Sequence, residues 1–338
     1  MNSKIIVLAE IREKEIHSST LELLGKSREL SEKIDNSIVT VVALSTEEIE
    51  QSSIDLLHKS GADKVLVVVN KNFERFNFSY YLRGLEKVTK DERPEIILAA
   101  ATTTGRTIMP ALAAVLHTGL TADCTGLDID EETKTLLQTR PAIGGNVIAT
   151  IKTPDHVPQM ATVRPKTFSP LSYNYKGLKE LEVVHLSDDS IENHMELLDF
   201  SPVDNSRKNL QDAQVVISAG KGISNINNLS LVNELASKLN AAVGASRPLV
   251  DQKWLNYESQ VGLSGHTVKP DIYLAAGISG AVQHIAGMQT SDFIISINKD
   301  KNAAIFEYSD IGLVGDATQI LEELIEELEN SKGEEENV

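Results

Sequence analysis

The chain has 338 residues, and at about 150 residues per domain this length predicts two domains, each with room for a core. It carries 32 Lys and Arg against 49 Asp and Glu, a net charge of −17, and aromatic residues make up only 4% of it. The acidic surface repels phosphates, and the few aromatic rings offer little for base stacking. Nucleic acids and anionic membrane surfaces are therefore excluded as expected partners.

Cysteine content narrows the chemistry, because the sequence contains a single cysteine, Cys124. Intrachain disulfides and cysteine-based zinc or iron–sulfur sites are excluded, and the composition is typical of the reducing cytoplasm. The apolar run at residues 5–9 is too short for a signal peptide or a membrane span. We therefore expect a cytoplasmic protein without membrane insertion, whose redox chemistry would need a borrowed cofactor.

In the first half, short β-branched runs alternate with helical patterns up to residue 117. The runs KIIVLAE, SIVTVVAL, KVLVVV and EIILAA are apolar throughout, as in a parallel sheet covered by helices on both faces. From about residue 118, TADCTGLDID, TKTLLQTR, NVIATI and QMATVRP follow one another without intervening helices. We predict an α/β domain over residues 1–200, β-rich from about 118, that ends in a polar linker; the boundary falls within 185–210.

A second alternation begins at QVVISAG and predicts another doubly wound domain over residues 201–338. Its strands are NAAVGAS, DIYLAAG, DFIISIN and AAIFEY in addition to the first, with helices over SLVNELASKL and SGAVQHIAG. A closing helix begins near Asp316, with Gln319 completing a capping box, and the final GEEEN is expected to fray. The predicted fold class is α/β with two doubly wound parallel-sheet domains, the first with a β-rich addition.

Ligands of open parallel sheets bind beyond the carboxyl ends of the strands. In the second domain these ends carry small, polar or cationic residues: Gly220, Lys221, Gly222, Ser246, Arg247, Gly277, Ser279, Gly280, Asn298 and Lys299. Glycines let backbone amides approach a pyrophosphate, so this edge suits a phosphate-bearing cofactor. The loop GKGISN is a poor dinucleotide fingerprint, because Asn225 stands where the third glycine belongs; it is either a phosphate loop or a plain strand-to-helix turn.

The stretch AAGISGAVQHIAGM places Gln283 and His284 in the first turns of a helix, directly after a glycine-rich turn. Two interpretations of His284 remain open. It is either a contact to the ligand or a core histidine bonded to the backbone.

The first domain contains a comparable corner in AAATTTGR. Its threonines form either an anion nest with Arg106 or an ordinary helix N-cap at Thr104. Arg140 and Arg164, each before a proline, are interpreted as solvated or as paired within the chain. No histidine neighbours Cys124 in the sequence, so we interpret it as structural, and the dispersed histidines predict no metal site.

Several segments, in this order and spacing, resemble the α subunit of electron-transfer flavoproteins, including the FixB-type members. In the second half they are GASRP (244–248), QVGLSG (260–265), KPDIYLAAGISGAVQHIAGM (269–288), INKD (297–300) and YSDIGLVGD (308–316). The first half is similar to the family in GLTADCTGLDID and in TRPAIGGN followed by PQMATVRP, so the resemblance covers nearly the whole chain.

The resemblance implies a noncovalent FAD, bound mainly by the C-terminal domain, in a heterodimer with a β subunit. The implied FAD contacts are Lys221, Ser246, Arg247, Val261, Gly262, Leu263, Ser264, Ser279, Gly280, Ala281, Val282, Gln283, His284, Asn298 and Asp316. Ser264 would hydrogen-bond the flavin N5, and His284 would lie by the N1/C2 carbonyl edge, where a donor or cation stabilises the charge that reduction adds.

Two positions depart from the family pattern, which usually has arginine where Lys221 stands and glutamine where Leu263 stands. A lysine replaces a bidentate phosphate contact by a point charge, and the leucine removes a polar contact. We expect weaker FAD binding or a shifted potential, with the remaining contacts intact.

The function implied by the resemblance is that of an electron carrier subunit rather than a stand-alone enzyme. It would shuttle electrons between dehydrogenases, of the acyl-CoA dehydrogenase type or acting with NADH, and a redox acceptor. The segments ASRPLVDQKW and TRPAIGGN lean toward the branch that works in flavin-based electron-bifurcating complexes. The alternative is an adenine-nucleotide-binding regulatory or assembly subunit without a redox flavin; an NAD-dependent oxidoreductase ranks third because of the incomplete fingerprint.

Overall fold

The computed structural model describes residues 4–35, 37–141, 147–188, 191, 193, 195, 197–199, 210–211 and 213–335. The chain divides into two compact units, Met1–Leu198 and Asp199–Val338, called here the N-terminal and the C-terminal unit. Three predicted features lie outside the described residues: the domain boundary between residues 200 and 201, most of the linker, and part of the TRPAIGGN segment.

The N-terminal unit is built around a parallel sheet of seven strands. The strands of the whole unit are β1 (Lys4–Leu8), β2 (Ile11–Arg12), β3 (Glu15–Ile16), β4 (Ile38–Ser45), β5 (Lys64–Val69), β6 (Ile96–Ala100), β7 (Leu120–Cys124), β8 (Gly126–Ile129), β9 (Leu136–Pro141), β10 (Ile148–Ile151), β11 (Gln159–Val163) and β12 (Glu180–His185). Its helices are α1 (Ser18–Lys33), α2 (Gln51–Lys59), α3 (Phe78–Glu92) and α4 (Thr103–Val115). The main sheet has the order β12-β5-β4-β1-β6-β11-β7.

Both faces of this sheet are covered, which explains why its central strands are apolar throughout. In β1, Ile5 and Val7 pack with α1 and α2, whereas Ile6 and Leu8 pack with α3 and α4. The β-rich region is only in part an addition. Strands β8 to β10 form a separate antiparallel sheet, but β7 and β11 pair in parallel with the main sheet and extend it.

Strand β12 lies just before the predicted boundary region, in a segment for which the sequence predicted no strand. It pairs in parallel with β5 from Glu180↔Lys64 to His185↔Val69 and forms an edge of the main sheet. Its side chains are exposed or half-buried, so an apolar run is not required there and the sequence lacks the usual strand signal.

The C-terminal unit contains a second parallel sheet, of five strands. Its elements are β13 (Val215–Ala219), α5 (Leu229–Lys238), β14 (Ala242–Ala245), α6 (Arg247–Asp251), β15 (Ile272–Ala276), α7 (Val282–Met288), β16 (Phe293–Asn298), β17 (Ile311–Val314) and α8 (Ala317–Glu335). The order β14-β13-β15-β16-β17 is the flavodoxin-like arrangement, with helices α5 and α8 on one face and α7 on the other. The predicted class of two doubly wound α/β domains is confirmed.

Two details of the C-terminal unit differ from the sequence prediction. AAIFEY forms a 3-10 turn over Ala304–Tyr308, with Ile305 buried, and the fifth strand is Ile311–Val314 instead. Helix α8 continues to Glu335, so it includes part of the segment that was expected to fray. None of the described helices combines the length and apolarity needed to cross a membrane.

Candidate cofactor-binding site

A cleft of about 520 Å³ opens at the carboxyl edge of the C-terminal sheet. Strands β13 and β15 are neighbours there, and the chain leaves them toward opposite sides, so the cleft lies at the switch point where doubly wound folds bind ligands. The structure brings these predicted contact residues together as its lining: Lys221, Ser246, Arg247, Val261, Gly262, Ser264, Ser279, Ala281, Gln283, His284 and Asn298. Its volume is within the range of about 300–1,000 Å³ that is usual for ligand pockets.

Four predicted contact residues do not line the cleft. Leu263 is 69% exposed, and Val282 is also exposed. Gly280 is buried against the Ala304–Tyr308 turn, where its φ of +86° and the nearby Ile305 backbone leave no room for a side chain. Asp316 begins α8: its carboxylate accepts from the Thr318 amide at 2.9 Å, and hydrogen bonds from Thr318 lower its pKa.

The floor of the cleft is a backbone contact between two glycine-containing loops. The amide of Gly222 donates to the carbonyl of Gly277 at 2.9 Å, and Gly277 has a φ of +67°. The segment Lys221–Ile223 is a 3-10 turn with Gly220 at its N-cap. The GKGISN loop therefore has the geometry of a turn packed on its neighbour, and Lys221 is the member that reaches the cleft.

One side wall is the loop between α6 and β15. Tyr257 donates its hydroxyl to the Ser264 carbonyl at 2.8 Å, and Gln260 Nε2 donates to the Ser264 Oγ at 3.0 Å. The Leu263 amide donates to the Gln283 carbonyl at 2.7 Å, which fastens this loop to the start of α7. The loop thus holds the Ser264 hydroxyl at the cleft while directing the Leu263 side chain away from it.

Charged side chains at the cleft are Lys221, Arg247 and Asp251. Arg247 Nε lies 3.4 Å from an oxygen of Asp251, one turn further along α6, and both side chains are largely exposed. Two cations against one carboxylate give a local positive excess on a chain whose net charge is −17. This electrostatic setting favours an anionic ligand such as a pyrophosphate.

His284 lies at the base of the cleft and is 5% exposed. Its Nε2 is 2.9 Å from the hydroxyl of Tyr273, a fully buried residue of β15, while its Nδ1 has no hydrogen-bond partner of standard geometry among the described residues. Burial lowers the pKa of His284 to about 4, and the Val261 carbonyl opposes that shift. The sequence left His284 either as a ligand contact or as a core histidine. The structure combines both features, because the ring is buried and hydrogen-bonded and also lines the cleft.

The corresponding corner of the N-terminal unit is bonded within the chain. Helix α4 is capped by Thr102, not Thr104, since the Thr102 hydroxyl accepts from the Gly105 amide at 3.3 Å. Arg164 and Arg106 both donate to Asp123, at 2.7 and 3.3 Å, and these cations lower the pKa of Asp123. Within the described ranges no group of three or more His, Cys, Asp and Glu side chains is arranged to hold a metal ion.

Sequence reasoning missed part of the lining. The residues not predicted as contacts are Gly222, Pro248, Asp251, Gln260, Gly277 and Ile278. A signal existed for Gly222 and Gly277, which follow strand ends, and for Asp251, which is four residues from Arg247 on a helix. No sequence signal pointed to Tyr273, because it lies within an apolar strand and contributes through its contact with His284.

The fold and the cleft together define a class: a doubly wound α/β protein with a cation-lined cleft, suited to a nucleotide cofactor, at the switch point of its second sheet. Comparison with known families gives the same class in finer detail. Residues 5–189 match the electron transfer flavoprotein domain, and residues 209–289 match the electron transfer flavoprotein FAD-binding domain. The chain belongs to the electron transfer flavoprotein α-subunit family, as the resemblance of its motifs implied.

Curated relatives match over almost the whole chain. The electron transfer flavoprotein subunit alpha of Clostridium acetobutylicum is 43% identical, covering 94% of this chain and 95% of that protein. Protein FixB of Clostridium saccharobutylicum is 41% identical over 94% of both. Subunit LctC of the lactate dehydrogenase (NAD(+),ferredoxin) of Acetobacterium woodii is 38% identical, covering 97% of this chain and 78% of that protein.

Proposed function

We propose that this chain is the α subunit of a heterodimeric electron transfer flavoprotein and binds FAD in the cleft of its C-terminal unit. The observation that carries the proposal is the joint lining of one cleft by Lys221, Arg247, Ser264 and His284, residues that are distant in sequence. Membership of a family whose matched C-terminal model is an FAD-binding domain supports the choice of cofactor.

The side chains of the cleft fit this cofactor in charge and in hydrogen bonding. Lys221 and Arg247 would neutralise the pyrophosphate or the charge that reduction adds. Ser264, fixed by Tyr257 and Gln260, would present its hydroxyl to a ring nitrogen, and Nδ1 of His284 is a buried atom without a partner of standard hydrogen-bond geometry among the described residues. When bound, FAD supplies the one- and two-electron chemistry that the side chains themselves lack.

The proposed partners are a β subunit and redox proteins that exchange electrons with the heterodimer. We propose a dehydrogenase of the acyl-CoA dehydrogenase type, or NADH, on one side and a second redox carrier on the other. The similarity to LctC, whose parent enzyme is named for both NAD(+) and ferredoxin, favours a role in an electron-bifurcating complex.

Absorption of the purified complex tests the proposal. The chain is produced with the β subunit from the same genome, and the spectrum is recorded before and after the ligand is released by acid and identified by mass spectrometry. Flavin absorption bands and released FAD are expected. A colourless complex that releases AMP would support the adenine-nucleotide-binding subunit instead.

Location of the FAD in this cleft is tested by variants. Lys221→Ala and Arg247→Ala are expected to weaken FAD binding, roughly tenfold each, because each removes a charge-assisted contact. Lys301→Ala, an exposed cation of the same unit outside the cleft, is the matched control. Unchanged FAD affinity in both cleft variants would exclude this cleft as the site.

A further inference from the structure

Tyr273 is a buried residue behind the cleft that has no assigned role. It is the second of the five residues of β15, is fully buried, and places its hydroxyl 2.9 Å from Nε2 of His284. The two rings have centroids 6.2 Å apart. Burial raises the pKa of the Tyr273 phenol, so the phenol keeps its proton throughout the physiological pH range.

The direction of this hydrogen bond follows from the single proton of the phenol. A buried O–H that donates to nothing costs about 1–3 kcal/mol. Among the described residues Nε2 of His284 is the acceptor of standard hydrogen-bond geometry. The Ser218 hydroxyl interacts with the phenol and lowers its pKa, but it does not reach that geometry. Tyr273 therefore donates to Nε2, and a neutral imidazole that accepts at Nε2 carries its own proton on Nδ1.

Nδ1 has no partner of standard hydrogen-bond geometry in the described part of the chain, although the Val261 carbonyl is close enough to oppose the lowering of the ring's pKa. A buried N–H without an acceptor is costly, and the cost is removed when a ligand oxygen accepts from it. Because His284 lines the cleft, a ligand bound against the ring would supply the missing acceptor.

We propose that Tyr273 is a positioning residue that holds His284 as a neutral imidazole with its proton on Nδ1, as a donor to a carbonyl oxygen of the cofactor. This inference rests on the proposed function for the identity of the cofactor. The low pKa of His284, about 4 because of burial, agrees with a ring that stays neutral. On this basis His284 contributes a hydrogen bond, and the fixed positive charges of the cleft are those of Lys221 and Arg247.

The tautomer of His284 can be read directly by NMR in the full chain, purified with its β subunit and labelled with ¹⁵N-histidine. The His284 signals are identified from their loss in His284→Gln. In the wild type at pH 7 we expect a neutral ring protonated on Nδ1. Tyr273→Phe keeps the ring and removes only the hydroxyl, so Nε2 is free to take the proton and the Nδ1–H population falls. Tyr308→Phe, which makes the same change at an exposed tyrosine outside the cleft lining, is the matched control and should keep the wild-type tautomer.

The potential of the bound flavin provides a second readout. Losing a donor to the reduced ring weakens binding of reduced relative to oxidised flavin, roughly tenfold, so the potential of Tyr273→Phe becomes more negative while that of Tyr308→Phe does not change. A wild-type ring that is doubly protonated, or protonated on Nε2, overturns the proposal. So does a Tyr273→Phe complex with the wild-type tautomer and potential. A wild-type complex without flavin would refute the proposed function, and the tautomer measurement would still decide the relationship between Tyr273 and His284.

Discussion

Gly222 and Gly277 each occupy the space that a Cβ atom of the other would need. A Cβ on Gly277 would lie 2.7 Å from Gly222 Cα, and a Cβ on Gly222 would lie 2.6 Å from Gly277 Cα. The loops that follow β13 and β15 can therefore meet under the cleft only when both positions are glycine.

Gly277→Ala should destabilise the C-terminal unit and disturb the cleft together. The added methyl group overlaps backbone atoms, and the φ of +67° disfavours an L side chain, so we expect a loss of at least about 2 kcal/mol in the free energy of unfolding. Chemical denaturation measures the loss, and flavin content reports on the cleft. Gly119→Ala, whose Cβ would meet only the Thr153 side chain at 3.3 Å, is the control; equal stability of the two variants would contradict the prediction.

His284 should make the C-terminal unit less stable in mild acid. Its pKa is about 4 in the folded protein and 6.5 when unfolded, so below pH 6.5 the unfolded chain binds a proton that the folded chain does not. Stability is full above pH 6.5 and falls as the pH drops to about 4, by about 3 kcal/mol. The measurement is urea denaturation between pH 4 and 7, where His284→Gln should show a shallower decline. Parallel curves for the two proteins would mean that His284 does not titrate in this way.

Arg28 and Asp63 form a buried ion pair in the N-terminal unit. Their side chains are 8% and 7% exposed, the Nη2–Oδ2 distance is 2.9 Å, and Tyr175 donates to the other oxygen of Asp63 at 2.7 Å. Asp63→Ala leaves a buried guanidinium without its counter-charge, which costs about 3–5 kcal/mol. The exposed pair Lys14–Glu47 offers the control, because Glu47→Ala should leave the free energy of unfolding nearly unchanged. A small effect of Asp63→Ala would show that water reaches Arg28.

Cys124 should be unreactive until the N-terminal unit unfolds. It is fully buried, and burial raises the pKa of its thiol to about 12, so at pH 8 the reactive thiolate is nearly absent. We expect no labelling by a thiol reagent such as 5,5′-dithiobis(2-nitrobenzoate) in buffer and full labelling in denaturant. Rapid labelling of the folded protein would indicate local opening around β7.

The strands that the sequence predicted correctly are those buried on both faces of a sheet. Strands β1, β4, β13 and β15 were identified because all of their residues except those at the ends are buried. The edge strand β12 was missed because its exposed side chains carry no apolar run. The fifth strand was assigned to AAIFEY, which forms a 3-10 turn, and the four-residue strand β17 follows it. The pairing of β7 and β11 with the main sheet could not be read locally either, because it depends on long-range partners.

The motifs of the sequence contain most of the residues that line the cleft. The motifs located Ser264 and His284, and the structure brings both to one cleft. What holds them could not be predicted, since Tyr273 contacts His284 across eleven residues and a glycine turn, and Arg247 meets Asp251 only once α6 has formed. Asp316 illustrates the reverse case: its capping role was readable from the local sequence, and the structure places it outside the cleft lining.

The register of β15 has a consequence beyond the sheet. Tyr273 is paired with Val216 on one side and Ile294 on the other, and its side chain points to the α7 face only in that register. A shift by one residue would turn Tyr273 to the opposite face and put Ile272 or Leu274 beneath His284, with no hydroxyl to offer. The pairing of β15 with β13 and β16 thus decides which nitrogen of the His284 imidazole holds a proton. A single residue inserted into β15 would preserve the architecture and still change the redox behaviour of a cofactor bound in the cleft.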